Sequence, residues 1–343
     1  MSQQRRRPLP ARCMSLDYDS DSDSDSDSED EMLMKFALRD YIAGARLPEF
    51  VQVSGHNLGS AAELKNLAWA FNWPEYPTLR RELGTRTLKK VGRVDTKQIM
   101  ATARSYLDKF DFLFIHNETG VDAEESQRLR LPCDGLIEYD KEDYELLKNL
   151  RHEEDLLMVL KDYVLGTVSE AVRVMQCLPL DAPLSKTLLF KSRNEFCSAH
   201  RARWEILALP SDSFNDAPVI VVFVPPTMFG VYDFAQFANI QEFNNHDLDT
   251  LDSKEFRASD ILWAVIHDCC KGRGYKFVLT NYLYWAFGTF SNDYTEAIVT
   301  DAIESRISSF NGIQIRGYDS KINAIELLAY WMQAARGMIP AAL

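Results

Sequence analysis

The chain has 343 residues, 46% of them hydrophobic and 26% charged, with a formal net charge of -13. That length holds one large or two small domains with enough apolar material for a core, and the composition excludes a collagen helix, a coiled-coil rod, a disulfide miniprotein and a wholly disordered chain. Asp17 to Glu31 (DYDSDSDSDSDSEDE) carries nine acids and no base, which leaves the rest of the chain at only -4, so neither part offers the broad basic surface that duplex DNA normally needs.

Residues 1–31 read as a disordered acidic tail, because they have few groups to bury and their like charges repel. Ser20, Ser22, Ser24, Ser26 and Ser28 each have an acid three residues on, the pattern that an acid-directed serine kinase selects. Phosphates there would add negative charge to a docking or solubility tail; the plainer reading is an unmodified solvating segment. The start, MSQQRRRPLPAR, is basic without an apolar stretch after it, so it does not read as a secretory leader. The longest nearly unbroken apolar run, Ala217 to Pro226, is too short to span a bilayer. Six sparse cysteines, two of them adjacent, do not form a secreted disulfide framework. These features predict a soluble cytoplasmic or nuclear protein in a reducing compartment, with no membrane contact.

Residues 32–150 are predicted to be a mixed helical N-terminal region, either separate or packed on the core. Leu58–Phe71 has helical spacing and is stopped by Trp73–Pro77. Ile99–Leu107 reads as a short helix, Phe110–Ile115 as a strand and Asp140–Leu150 as helical in composition. Residues 151–343 are predicted to form an α/β core with C-terminal helices. Leu156 to Met175 shows the spacing of one long helix with a buried face. Strands follow at Thr187–Lys191, Trp204–Leu209 and Pro218–Val224; the last is apolar on both faces and belongs centrally in a covered sheet. Ser259 is placed to cap a helix over Asp260–Cys270 that Gly272 and Gly274 close. Lys276–Thr280 and Tyr284–Phe290 read as two more strands. Residues 291–343 are predicted to end in two helices, the second presenting Ile322, Ile325, Leu328, Trp331 and Ala335 on one face. The fold class is thus α/β or α+β: a mixed central sheet flanked by helices in the order helix, three strands, helix, two strands.

Several catalytic motifs are missing. There is no phosphate loop, no G-x-S-x-G elbow and no H-E-x-x-H. Gly272-Arg-Gly274 follows a helix, where a C-cap is the natural reading. His246-Asp247 and His267-Asp268 are neighbours in sequence, an arrangement that does not place an acid across an imidazole ring. Cys197-x-x-His200 and His267-x-x-Cys270 offer four ligands of the types zinc uses, against the reading of two buried thiols and two ordinary histidines. Tyr282, Tyr284 and Trp285 can stack on bases or sugars, but strand alternation sets Tyr282 and Tyr284 on one face and Trp285 on the other, so at least one set belongs to the core. No cofactor is expected.

The segments RNEF (193–196), RWEILALP (203–210), PVIVVFVPP (218–226) with DFAQF (233–237), ILWAVIHDCC (261–270) and YKFVLTNYLYWAFGTFS (275–291) resemble an uncharacterised protein family of mushroom-forming (basidiomycete) fungi, over about 100 to 130 residues. The order helix, three strands, helix, strand is in turn similar to the PD-(D/E)XK nuclease-like core, and Thr280-Asn281…Trp285 is similar to the end of some restriction-enzyme-like domains. That resemblance implies a divalent metal held by an acid on the second core strand and an E-x-K on the third. Carboxylates bind such a metal and lysine orients water. Glu205 lies on the second strand and Glu170 on the long helix, but Pro218–Val224 has neither acid nor lysine. Asp181, Asp216 and Lys191 are the remaining candidates to complete the set. The leading expectation is therefore a non-enzymatic binding or regulatory module with a protein partner. Its rivals are a metal-dependent nuclease or phosphoester hydrolase, and a nucleic-acid-binding protein without catalysis.

Overall fold

The computed structural model describes residues 35–39, 42, 47–48, 88–110, 114–116, 156–157, 159–176, 190–192, 205–208, 218–226, 229–239, 241–243, 258–305, 307–308 and 322–337. The acidic segment 1–31 and the helices expected over 58–71 and 140–150 lie outside these residues. In chain order the strands are β1 (Lys35–Ala37), β2 (Leu47–Pro48), β3 (Lys90–Arg93), β4 (Phe114–His116), β5 (Lys191–Ser192), β6 (Glu205–Ala208), β7 (Val219–Phe223), β8 (Gln241–Glu242), β9 (Lys276–Thr280), β10 (Tyr284–Phe290), β11 (Glu296–Val299), β12 (Ile303–Glu304) and β13 (Ile307–Ser308). The helices are α1 (Thr96–Leu107), α2 (Gly166–Met175), α3 (Val231–Phe237), α4 (Ala258–Cys270) and α5 (Ala324–Ala335).

Among the described residues the main sheet runs β5-β6-β7-β9-β10-β11-β3-β8, with β12 beside β10. Neighbours are antiparallel except β7 with β9 and β11 with β3, so the sheet is mixed and the class is α/β. Two small ladders, β1 with β4 and β2 with β13, stand apart. The expected central strand is central: all five residues of β7 are buried between β6 and β9. Its alternation sorts the core into two layers. Val219, Val221 and Phe223 face α1, α2 and α5 together with Val278, Trp285 and Phe287. Ile220 and Val222 face α3 and α4 together with Phe277, Leu279 and Phe290.

Helix α5 was expected to bury one face, but Ala324 to Ala334 are buried all round. The helix lies over the sheet between α1 and α2, and a helix covered on every side has no polar face to keep. Its start is fixed by a capping box: the Asn323 side chain accepts from Glu326 N at 2.7 Å, and the Glu326 carboxylate accepts from Asn323 N at 2.8 Å.

Helix α1 begins at Thr96, three residues ahead of the sequence expectation, because the Asp95 carboxylate accepts from Lys97 N at 3.0 Å and Gln98 N at 3.2 Å. Asp95→Ala is expected to cost about 1 kcal/mol. Urea unfolding reads it, and an unchanged midpoint would remove the cap from the account.

Several expectations are corrected. Residues 156–157 and 159–175 are helical, but Leu160–Leu165 form a π-turn that ends at Gly166, the weakest helix former of the stretch. In the stretch 291–343, expected to end in two helices, Glu296–Val299 and Ile303–Glu304 are strands, short apolar runs whose type periodicity cannot decide, while residues 309–321 lie outside the described residues. Between them the chain leaves the ladder, and Thr300 fills the gap by accepting from Phe287 N on its hydroxyl at 3.0 Å while its own N donates to Phe287 O at 2.9 Å. Ser259 does not cap α4, which starts one residue earlier; it lies inside the helix, fully buried. The strand expected to end at Lys191 instead begins there, and the one expected over Phe110–Ile115 is Phe114–His116. The Gly272 stop is as expected: it takes φ +76°, and Arg273 N and Gly274 N return to Cys270 O. Residues 88–107, on the N-terminal side of the expected boundary at 150, supply a strand of the main sheet and a helix of its cover.

Candidate functional site

In open α/β sheets, ligands collect outside the carboxyl ends of parallel strands. Here that place lies beyond Phe223 on β7 and Thr280 on β9, and it is packed shut. Val224 N donates to Thr280 O at 2.9 Å. Asn281, fully buried, donates from Nδ2 to Phe229 O and accepts on Oδ1 from Leu283 N at 3.0 Å and Tyr284 N at 2.8 Å. Thr280 Oγ1 accepts from Tyr282 N at 3.1 Å and donates to Tyr284 O at 3.0 Å. These bonds hold Tyr282 at φ 78°, a left-handed conformation that a tyrosine adopts only under constraint. Ser305 Oγ donates to Tyr282 O and accepts from Trp285 Nε1 at 2.7 Å.

The turn revises the reading of the aromatics. Because the chain reverses at Tyr282, strand alternation does not reach it: Tyr282 joins Trp285 in the layer under α5, and Tyr284 alone faces the other layer. Tyr282 and Trp285 are fully buried, so neither offers a face to a base or a sugar. Burial raises the pKa of the Tyr284 phenol, with nearby Glu304 adding to the effect.

The register separates the acids and lysines proposed for a metal. Glu205 stands opposite Phe223, and two residues along β7 lies Val221; both are buried and apolar. Lys191 stands opposite Ala208, three residues along β6 from Glu205, or about 10 Å. Glu170 is buried on α2, and its carboxylate is engaged by Arg173 Nε at 2.8 Å and by Arg173 Nη2. Asp181 and Asp216 lie outside the described residues. Among the described residues no three His, Cys, Asp or Glu side chains gather as a metal site would require.

Half of the zinc quartet, Cys197 and His200, lies outside the described residues. The other half is built into α4. His267 is 1% exposed, with the rings of Phe290 and Tyr294 edge-on at 5.7 and 6.2 Å and Asp268 Oδ1 3.7 Å from its Nδ1. Cys270 is fully buried, and burial pushes its thiol pKa far up, which keeps it unreactive.

Sequence reasoning missed three features. Val231 and Tyr232 are each 54% exposed at the start of α3, whose Phe234 and Phe237 turn inward. Tyr275, 44% exposed, stacks on Tyr294 at 5.3 Å. Lys276 opens β9 at the amino end of the parallel pair, with its Nζ 5.0 Å from the centroid of the Trp331 ring. Burial alone lowers its pKa. The signal for Lys276 was present: it shares parity with Val278, which places it on a buried face of the sheet. Lys276 stands opposite Val219 and Glu205 opposite Phe223, so four residues of β7, about 13 Å, keep the two from serving one metal ion. Among the described residues no helix is long and apolar enough to cross a membrane. No family model, no curated protein and no solved structure matches the chain.

Proposed function

We propose that this protein is a non-enzymatic binding module that acts through a protein partner. The observation that carries this reading is the filling of the sheet beside Glu205: the neighbouring strand presents Phe223 and Val221 where a hydrolase would need an acid and a lysine. Glu170 is already neutralised by Arg173. The contact surface in this reading is Val231 with Tyr232, two adjacent half-exposed apolar side chains on a short helix whose other face is anchored by Phe234 and Phe237. An aromatic beside an aliphatic side chain suits a partner surface of apolar character with a polar rim. The serines of the acidic segment are the regulatory element of this reading, each phosphate adding charge next to existing acids.

A second reading, a metal-dependent nuclease or phosphoester hydrolase, draws support from the topology: helix α2, the antiparallel run β5-β6-β7, the crossover through α4 and the parallel strand β9, with Glu205 opening β6. One experiment separates the two. Full-length protein is assayed on single- and double-stranded DNA and RNA with manganese or magnesium, alongside Glu205→Ala. We expect no cleavage that the substitution removes; metal-dependent cleavage abolished by Glu205→Ala overturns the binding-module reading. In parallel, partners captured from the producing cells by wild type and by Tyr232→Asp are compared by mass spectrometry. A partner lost in the variant at unchanged melting temperature supports it.

A further inference from the structure

The loop that joins α4 to β9 reads Lys271-Gly272-Arg273-Gly274-Tyr275, two cations and two glycines leading to an exposed ring. Gly272 holds φ +76°, and no atom lies within 4 Å of where a Cβ would stand, so the loop borders open space. Arg273 Nη1 donates to Asp268 O at 3.0 Å and pins the loop to the end of α4. Tyr275 is 44% exposed and stacks on Tyr294 at 5.3 Å and 25°. Tyr294 is itself fixed: its hydroxyl donates to Gly274 O at 3.4 Å, and the rings of His267 and Phe290 pack against it at 6.2 and 5.9 Å. It also holds φ 58°, the left-handed position of a tight turn, where glycine or asparagine is usual and a tyrosine is an outlier. Its N donates to Ser291 O at 2.9 Å, and Asp293 braces the turn by accepting from Ser291 Oγ at 2.6 Å and Thr295 N at 3.2 Å. The chain thus keeps an unfavourable conformation that backs one face of the Tyr275 ring and leaves the other to solvent.

Lys271 and Lys89, both exposed, flank this stack. Lys89 N donates to Thr295 O at 2.7 Å, which sets it beside the turn. Lys89 shares parity with buried Val91, so it stands on the same face of the sheet as Phe277 and Tyr294. Glu296 precedes buried Ala297 and stands on the opposite face. Two acids remain on this side: Asp293, whose carboxylate is engaged by Ser291 and Thr295, and Asp268, which is largely covered beside His267. An open aromatic face between two ammonium groups repels a cationic side chain, and a neutral sugar makes no use of the charges; a base joined to phosphates uses both. We propose that Tyr275, Lys271 and Lys89 form a docking point for single-stranded nucleic acid, one unpaired base stacking on Tyr275 and the neighbouring phosphates lying against the lysines. The stacking role that the sequence suggested for Tyr282, Tyr284 and Trp285 thus passes to a ring outside the core. This point lies at the amino end of β9, whereas the Val231–Tyr232 surface follows the carboxyl end of the parallel strand β7, so it does not rest on the protein-partner reading.

The test uses the full chain with fluorescein-labelled oligo(dT) and oligo(U) of about 12 nucleotides, within the usual site size of one binding domain. Anisotropy is followed to about 0.1 mM protein, the weak end of non-specific affinities, with sodium chloride from about 50 to 200 mM. We expect saturable binding of at least one strand, weakened about tenfold by Tyr275→Ala and kept by Tyr275→Phe, which retains the ring. Two phosphate contacts predict a slope of about -1.4 for log affinity against log salt, and Lys271→Ala should bring it to about -0.7. Tyr275 and Lys271 are exposed, so the variants should melt as the wild type does. Unlabelled duplex of the same length and AMP serve as competitors, and neither should displace the strand at matched nucleotide concentration. No saturable binding to either strand, equal affinity in Tyr275→Ala, a slope near zero, or displacement by duplex or by AMP each overturns the proposal.

Discussion

Asn281→Ala is expected to destabilise the protein by about 3–5 kcal/mol, the largest effect of any single polar substitution in the core. The side chain satisfies one buried and two part-buried backbone groups: it donates to Phe229 O and accepts from Leu283 N and Tyr284 N. Alanine leaves all three unpaired, the Phe229 carbonyl where it is buried, and each costs about 1–3 kcal/mol without full additivity. It also removes one of the clamps on Tyr282, whose φ of 78° is otherwise unfavourable. Urea denaturation followed by tryptophan fluorescence measures the loss. A change below 1 kcal/mol would mean that Thr280 and Ser305 hold the turn without Asn281.

Gly288→Ala comes next, through steric conflict. A Cβ at Gly288 would lie 2.2 Å from Phe277 Cζ and 2.7 Å from both Phe277 Cε atoms, because the two residues face each other in the β9–β10 ladder. The ring has nowhere to move: Trp263 stands edge-on to it at 5.5 Å and Phe290 packs at 5.3 Å. Overpacking of this kind typically costs about 1–3 kcal/mol, and the hemmed ring places this case at the upper end. Phe277→Leu shortens the obstacle, so the double variant should lose less stability than the two single losses added together. Strict additivity in that cycle would show that the clash is relieved elsewhere.

The strands that sequence patterns revealed are those with a decisive pattern. Val219–Phe223 is apolar without interruption and sits at the sheet centre, while Lys276–Thr280 and Tyr284–Phe290 are bounded by turn residues. Strand β3 left no such trace, because only Val91 of its four residues is buried and a single apolar position has no period. Strands β11 and β12 gave no strand signal because they are too short for a helical and an extended reading to differ. In the candidate sites, parity alone could have placed Lys276 under a helix. The stack of Tyr275 on Tyr294 arises only when the β10–β11 turn meets the end of α4, and no spacing within either segment encodes that. Tyr282 and Tyr284 were assigned to one face by counting in twos across a turn, and a left-handed residue there broke the count.

The placement of β3 also sets a timetable for synthesis. Val91 and the buried face of α1 (Ile99, Ala103 and Leu107) find their partners on β11 and α5, and Lys90 is registered with Glu296. The partner strand is therefore translated roughly 200 residues later, which at 5–20 residues per second is a wait of about 10–40 s. Through that interval the nascent chain presents an apolar helix face and an unpaired strand edge while the strands from β5 to β10 are still being made. Such a chain has reason to depend on a holding chaperone during translation, and shortening the wait by a circular permutation that places residues 88–110 after Ala335 should lessen that dependence.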